Sequence, residues 1–210
     1  MRAMARKPLT KPRKHASQDR SRATVDALIE ATARILVREG FDKASTNRIA
    51  EAAGVSVGSL YQYFPSKESL VVAVIARHQE ELMQIARDAL AEVASLPIPK
   101  AVRRLVAVAI EAHRVDPKLH RVLAEQLPRT GRLENIDVFN REFYTLFKRY
   151  LDAHRDELRN LDLDMAAYVC VTSIEALTHN AVLHRSEMLS EEVAGRLVDE
   201  ATHLIVKYLQ

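Results

Sequence analysis

The stretch 45–67 constrains the fold of this chain more than any other. Its sequence, STNRIAEAAGVSVGSLYQYFPSK, predicts two short helices joined by a tight turn. Ser45 or Thr46 caps the first helix, because a hydroxyl oxygen there accepts a hydrogen bond from an unpaired backbone N–H. Gly54 ends that helix, since glycine adopts a positive φ without strain. Ser56 then caps the second helix, so the pattern indicates a helix-turn-helix.

The second helix of this pair has small and polar residues on its predicted outer side. Leu60 points inward, while Gly58 allows another backbone to come close. A helix of this kind suits insertion into a DNA major groove. Lys67 falls in the first turn of the next helix, where a cation opposes the helix dipole. A phosphate bound from outside would explain that lysine. The predicted outward residues are Val57, Ser59, Gln62 and Tyr63.

The pattern T-x-x-I-A-x-x-A-G-V-S-x-G-S-L-Y-x-Y-F-x-x-K-E-x-L resembles the DNA-binding domain of TetR-family transcriptional regulators. The resemblance is dense over residues 25–70 and architectural beyond them. It implies that phosphates are held by Thr46, Ser56, Tyr61 and Lys67, and that the major groove is met by Val57, Gly58, Ser59, Gln62 and Tyr63. Arg48 is expected to reach a phosphate or a base, and Gln62 is the best candidate reader of base edges. Val57 is a departure, being apolar where many relatives carry a polar residue.

Composition favours an all-α fold of roughly nine helices. The 210 residues include only 5 glycines and 7 prolines, and 48% are hydrophobic. Such a length suffices for a sizeable core. We predict a basic arm at 1–20, a helix-turn-helix domain at 21–67 and a helical ligand-binding and dimerisation domain at 68–210. The single cysteine excludes an internal disulfide, and no apolar run is long enough for a membrane span. We expect a soluble, cytoplasmic protein.

The first 20 residues are strongly basic, and two prolines among them oppose helix formation. Two interpretations stay open. The segment is either a disordered solubilising tail, or an arm that lies along DNA phosphates or in the minor groove. Disorder in the free protein and order on DNA are compatible. The basic residues are Arg2, Arg6, Lys7, Lys11, Arg13, Lys14 and Arg20, against one acid, Asp19.

A long helix is predicted from Ser66 past Leu90, joining the two domains, and further apolar stripes predict helices up to residue 209. The segment 165–185 is apolar on more than one face, so it needs cover on all sides. We predict a homodimer in which 165–185 and 190–209 pack against their copies, with central burial in a monomer as the alternative. A two-fold dimer also matches a palindromic operator. The resemblance implies the same arrangement.

Several aromatic and polar residues interrupt the apolar stripes of the second domain. Together they suggest a mainly apolar cavity for a small hydrophobic ligand. The alternative for each is ordinary core packing, and a Glu–His pair four residues apart can also be a simple surface ion pair. The candidates are His113, Phe143, Phe147, Tyr150, Tyr168, Thr172, Glu175 and His179.

Enzyme functions have little support in the sequence. There is no glycine-rich phosphate loop, no cofactor is implied, and no His, Cys or Asp group has metal-ligand spacing. Cys170 lies in an apolar helix and is expected to be inert. We therefore predict a ligand-released repressor. Two alternatives are a nucleoid-associated or division-linked DNA-binding protein that contacts a protein partner, and a helical enzyme or carrier.

Overall fold

The structure, a computed structural model, describes residues 19–125 and 133–210. Over these residues it contains nine α-helices, two short 3-10 helices and no strand, which confirms the predicted all-α fold. Residues 1–18, which make up most of the basic arm, and residues 126–132 lie outside the described part. The α-helices are α1 Asp19–Lys43, α2 Thr46–Ala52, α3 Val57–Tyr63, α4 Lys67–Glu92, α5 Ile98–Val115, α6 Pro117–Glu125, α7 Leu133–Ala153, α8 Leu163–His184 and α9 Glu191–Leu209.

The chain forms two compact units. The first comprises Met1–His78 and Val122–Asn135, and the second comprises Gln79–Arg121 and Ile136–Gln210. Within these ranges, the structure describes the residues given above. The boundary after His78 falls within α4. No helix in the described ranges is long and apolar enough to cross a membrane.

Helix α1 is interrupted near its C-terminal end. Gly40 has φ 80° and ψ 171°, values that are not helical and that glycine reaches without strain. Ser45 then caps α2, its side chain accepting from the Arg48 N–H at 3.4 Å. Of the two candidate caps, Ser45 takes this role and Thr46 is the first helical residue.

The turn between α2 and α3 is closed by two backbone hydrogen bonds. Gly54 has φ 69°, the left-handed conformation expected at a helix end. The Val55 N–H donates to the Ala50 carbonyl at 3.0 Å, and the Gly54 N–H donates to the Glu51 carbonyl at 3.0 Å. This pairing is the Schellman motif, which satisfies carbonyls that the helix end leaves unpaired. Ser56 caps α3 as predicted, accepting from the Ser59 N–H at 3.0 Å.

A small apolar core holds the first unit together. The core side chains come from α1, α2, α3 and the start of α4, so the helix-turn-helix is braced on both sides by longer helices. The largest fully buried side chains are Leu28, Leu36, Ile49, Leu60, Phe64 and Leu70.

In the second unit, α5 packs against both α8 and α9. The start of α5 has no side-chain cap of its own, because Pro97 occupies the cap position. Glu157, from the short 3-10 helix Arg155–Glu157, accepts from the Ile98 N–H at 2.9 Å instead. The core of this unit includes Val106, Ile110, Phe147, Leu151, Cys170 and Ile205.

Candidate functional site

Helix α3 presents an accessible surface of small and polar groups. Gly58, Tyr61 and Gln62 are exposed, Val57 and Ser59 are half-buried, and Leu60 is fully buried. Ser56 is also exposed, with its Oγ 2.8 Å from the Ser59 Oγ. The cap and the buried leucine together fix which side of the helix faces outward. Every predicted groove residue except Tyr63 retains some exposure.

Nothing within this chain requires a glycine at position 58. A Cβ built at that position meets only the Ser56 Oγ, at 3.8 Å, which is an ordinary van der Waals contact. Its φ is not positive: among the described residues, positive φ occurs at Gly40 and Gly54 alone. The free protein would therefore accept alanine at this position. The space above Gly58 stays available for the close approach of a partner.

Tyr63 does not face outward as predicted. It is only 8% exposed, so its ring belongs to the core of the first unit. As the last residue of α3, it lies next to Phe64, which is also buried. Near the end of so short a helix, the core extends around more of its circumference than the periodic pattern indicates. Tyr63 therefore faces the core in the free chain, and its contact with the major groove stays a prediction.

Two candidate phosphate ligands lie together at the surface, on different helices. The Thr46 hydroxyl is 3.1 Å from the Tyr61 hydroxyl, and Tyr61 is 41% exposed. The pair thus links the start of α2 to α3. Arg48 forms an ion pair with Glu39, including a hydrogen bond of 2.7 Å from Arg48 Nη2 to Glu39 Oε1. To bind a phosphate or a base, Arg48 would have to leave Glu39.

Lys67 has partners within the chain, contrary to the expectation that its position requires an external anion. Its Nζ donates to the Phe41 carbonyl at 2.8 Å and lies 4.0 Å from the centre of the Phe41 ring. The carbonyl dipole and the ring face both attract a cation. These contacts account for a lysine at the start of α4. A phosphate contact by Lys67 stays a prediction that requires exchange of the Phe41 carbonyl.

The predicted ligand residues on α7 fall mostly in the core of the second unit. Phe147 and Tyr150 are buried and their rings stack, with centroids 6.0 Å apart. The Tyr150 hydroxyl donates to the Leu96 carbonyl at 2.9 Å, and burial is the main cause that raises the pKa of Tyr150 to about 12. Both residues are therefore explained by packing. Phe143 is half-buried and packs against the same core.

The four candidates on α8 do not share one environment. Tyr168 is 52% exposed, and its ring lies 5.7 Å from that of Tyr144. Thr172 is half-buried, with its hydroxyl 3.2 Å from the Tyr144 hydroxyl. Glu175 is half-buried, and burial raises the pKa of its carboxyl. The polar face that the sequence predicts thus turns from solvent at Tyr168 towards the interior at Glu175. Tyr144 also belongs to this group, although its position in the sequence carries no signal that distinguishes it from a core aromatic.

The structure brings His113 and His179 together with a third histidine, His120. Their rings come from α5, α8 and α6, and one ring nitrogen of each lies within 4.8 Å of the other two. His120 Nε2 and His179 Nδ1 are 3.0 Å apart. Spacing in the sequence missed this group because its members lie on three helices, and metal-ligand spacing detects only neighbours. The available signal was that each histidine interrupts a largely apolar stripe.

Two family models match the chain, and together they cover both units. The model for bacterial regulatory proteins of the tetR family matches residues 28–74. The model for the C-terminal domain of tetracyclin repressor-like proteins matches residues 97–209, more than half of the chain. The chain belongs to the TetR family of transcriptional regulators. In this family the capped pair α2 and α3 is the DNA-binding motif, as the resemblance implied.

Curated relatives match the TetR-family chain over part of its length. The nucleoid occlusion factor SlmA of Haemophilus ducreyi is 31% identical over 116 residues, which is 55% of this chain and 55% of that protein. The transcriptional repressor KstR of Rhodococcus jostii is 38% identical over 55 residues, 26% of each chain. The chain thus matches between about a quarter and about half of the length of these relatives.

Solved structures share the whole fold. A TetR-family transcriptional regulator from Mesorhizobium loti superposes with a TM-score of 0.74 at 20% identity, covering 91% of this chain and 98% of that one. The regulator FadR from Bacillus subtilis, in complex with stearoyl-CoA, gives a TM-score of 0.67 at 16% identity, covering 88% and 99%. At these identities the likeness establishes the fold alone.

Proposed function

We propose that this chain is a homodimeric, sequence-specific DNA-binding regulator, a repressor that leaves a palindromic operator when its second domain binds a small, largely hydrophobic ligand. The observation that carries the proposal is the outer surface of α3, where Gly58 and Gln62 are exposed on a helix fixed by a cap and a buried leucine. A glutamine amide reads base edges by donating and accepting at once. The missing side chain at Gly58 lets the backbone approach the groove.

The phosphate contacts follow from groups beside α3. The hydroxyls of Thr46, Ser56 and Tyr61 are positioned to hold the DNA backbone, which fixes the register of α3 without reading sequence. Arg48 and Lys67 would add two cationic contacts on binding DNA, when Arg48 exchanges Glu39, and Lys67 the Phe41 carbonyl, for phosphates. Binding should therefore depend on salt, because each neutralised phosphate releases counterions.

Dimerisation is supported by apolar side chains that the single chain leaves uncovered. Met165, Tyr168 and Leu177 on α8 are 57%, 52% and 37% exposed, and Leu204 on α9 is 54% exposed. Large apolar groups on two neighbouring helices favour cover by another surface. A second copy provides it through 165–185 and 190–209, and it also supplies the second recognition helix that a palindrome requires.

Ligand control is supported by the partly buried polar groups of the second unit and by the family. FadR of Bacillus subtilis was solved with stearoyl-CoA, an acyl thioester with a long apolar chain. Thr172 and Glu175 are the polar candidates here, and Phe143 is the apolar candidate that keeps partial exposure. Helix α4 joins the two units without a break, so we propose it as the mechanical link. Ligand and DNA would then weaken each other's binding by the same factor.

Selection from a pool of random DNA duplexes tests this function. Untagged protein should enrich a two-fold symmetric motif, with half-sites about one helical turn, ~34 Å, or a small multiple apart. Anisotropy titrations of the enriched duplex should show affinity that falls steeply with salt. Failure to enrich any motif, with equal binding to all duplexes, would refute sequence-specific regulation.

The similarity to SlmA favours a second candidate, a division-linked DNA-binding protein whose second domain contacts a protein. SlmA of Haemophilus ducreyi is 31% identical to this chain over 116 residues, a longer match than that to KstR. Val115, 81% exposed at the end of α5, is an apolar group available to such a partner. A screen for ligand-dependent release of the enriched duplex discriminates the two. Release by acyl compounds supports the repressor, and release by none supports the alternative.

A further inference from the structure

We propose that His113, His120 and His179 form a binding site for a divalent late transition-metal ion of the Zn²⁺ class, coordinated by three imidazole nitrogens. The site lies wholly within the second unit and joins the α5–α6 corner to α8. Metal binding of this kind is independent of operator recognition, so either proposal can fail without the other.

The local chain positions two of these histidines side by side. Helix α5 ends at Val115 and α6 begins at Pro117, so only Asp116 separates them. The Asp116 Oδ1 accepts from the Leu119 N–H at 2.9 Å, and its carbonyl accepts from the His120 N–H at 3.0 Å. This cap fixes the first turn of α6. The rings of His113 and His120 consequently meet, with centroids 4.6 Å apart.

His179 completes the group from the opposite helix. Its ring lies 4.7 Å from that of His120 and 6.5 Å from that of His113, measured between centroids. The rings are inclined to one another by 68–76°, so they do not stack. Mutually inclined rings direct their nitrogens towards a common point more readily than parallel ones do.

The spacing of the nitrogens suits a small ion after a minor adjustment. Zn–N bonds of about 2.0–2.1 Å at tetrahedral angles place neighbouring nitrogens about 3.4 Å apart. The His120 Nε2 to His179 Nδ1 distance of 3.0 Å is already close to that value. The full group lies within 4.8 Å, so its widest pair has to close by at most about 1.4 Å.

His113 has the support that metal-binding histidines usually have. Its Nδ1 is 2.7 Å from the Ala109 carbonyl, which can only accept, so Nδ1 carries the proton. In the neutral ring Nε2 is then unprotonated and offers its lone pair. A backbone carbonyl that orients a histidine in this way is the common arrangement behind metal ligands.

The ligand set indicates which ions fit. Neutral imidazole suits Zn²⁺, Co²⁺, Ni²⁺ and Cu²⁺, whereas Mg²⁺ and Ca²⁺ require oxygen ligands. The three nitrogens also leave one tetrahedral position open to water or an exogenous ligand. The alternative is a metal-free cluster of hydrogen-bonded histidines.

Metal binding is tested on full-length, untagged protein after dialysis against EDTA. Competition with a chromophoric chelator should show one Zn²⁺ bound per chain. Co²⁺ added instead should give the intense visible bands of tetrahedral coordination, and Zn²⁺ should abolish them. Octahedral Co²⁺ spectra, or no stoichiometric binding by the wild-type protein, would overturn the proposal without any variant.

Variants then locate the site. Loss of a residue that only supports a metal ligand weakens metal binding by ~10–100-fold. His113→Ala and His179→Ala remove ligands themselves, so each should weaken Zn²⁺ binding by at least that factor. The control is His203→Ala, which removes an exposed histidine on α9. Circular dichroism verifies folding, and His179→Gln serves if the alanine variant unfolds. Zn²⁺ affinity that is equal in the control and in both site variants would contradict the assignment.

Discussion

Replacement of Gly58 by alanine separates DNA recognition from stability in this fold. The added methyl group meets only the Ser56 Oγ at 3.8 Å, and φ at this position is not positive. Alanine has the higher helix propensity, so the free energy of unfolding should rise by up to about 1 kcal/mol. On DNA the same methyl group enters a closely packed contact. Overpacking of that kind costs about 1–3 kcal/mol, which is about 5- to 150-fold in operator affinity.

Gly54→Ala is the matched control, since it adds the same methyl group four residues earlier in the chain, in the turn between α2 and α3. Nothing lies within 4 Å of the new Cβ, but φ is +69°. A non-glycine residue in that conformation costs about 1–2 kcal/mol, so this variant should be less stable. Denaturant melts and anisotropy titrations on the selected operator measure both quantities. If Gly58→Ala binds the operator as tightly as the wild-type protein, the backbone of α3 does not approach the groove and the reasoning fails.

Three further predictions concern the second unit. Tyr150→Phe should lower the free energy of unfolding by about 1 kcal/mol in a denaturant melt, because the Leu96 carbonyl loses its donor; an unchanged melt would contradict that hydrogen bond. Burial raises the pKa of the Cys170 thiol to about 12, so iodoacetamide should alkylate it at pH 8 only after unfolding, and rapid labelling of the native protein would contradict that burial. Glu175→Gln should stabilise the protein at pH 7. Burial raises the folded-state pKa of this carboxyl above its unfolded-state value. The free energy of unfolding of the wild-type protein should therefore fall as the pH rises from the unfolded-state pKa to the folded-state pKa, and that of the variant should change less with pH.

The sequence was most informative where a local rule decides the structure. The cap at Ser56 and the left-handed glycine at Gly54 both follow from backbone hydrogen-bonding and φ preferences that act over a few residues. The break in α1 at Gly40 and the start of α5 after Pro97 reflect the same local backbone preferences. Local signals of this kind are sufficient to place α2 and α3.

The side-chain environments were harder to predict, because tertiary neighbours determine them. Tyr63 lies at the outward spacing of α3, yet the core closes around the end of that short helix. Lys67 opposes the dipole of α4, but Phe41, brought close by the fold, supplies a carbonyl and a ring face. The contact between His120 and His179 joins residues 59 apart in the chain. No periodic pattern along one helix contains that information.

The most direct test of the central claim is the ratio of affinities for the selected palindrome and for a scrambled duplex of the same length, measured at one physiological salt concentration. Specific binders commonly show ratios of about 10³ or more. We predict such a ratio for the wild-type protein, with two chains per duplex, and a loss of about 1–3 kcal/mol of discrimination in Gln62→Ala at one base position of each half-site. A wild-type ratio near one, or a ratio unchanged by Gln62→Ala, would contradict the claim that α3 reads DNA sequence.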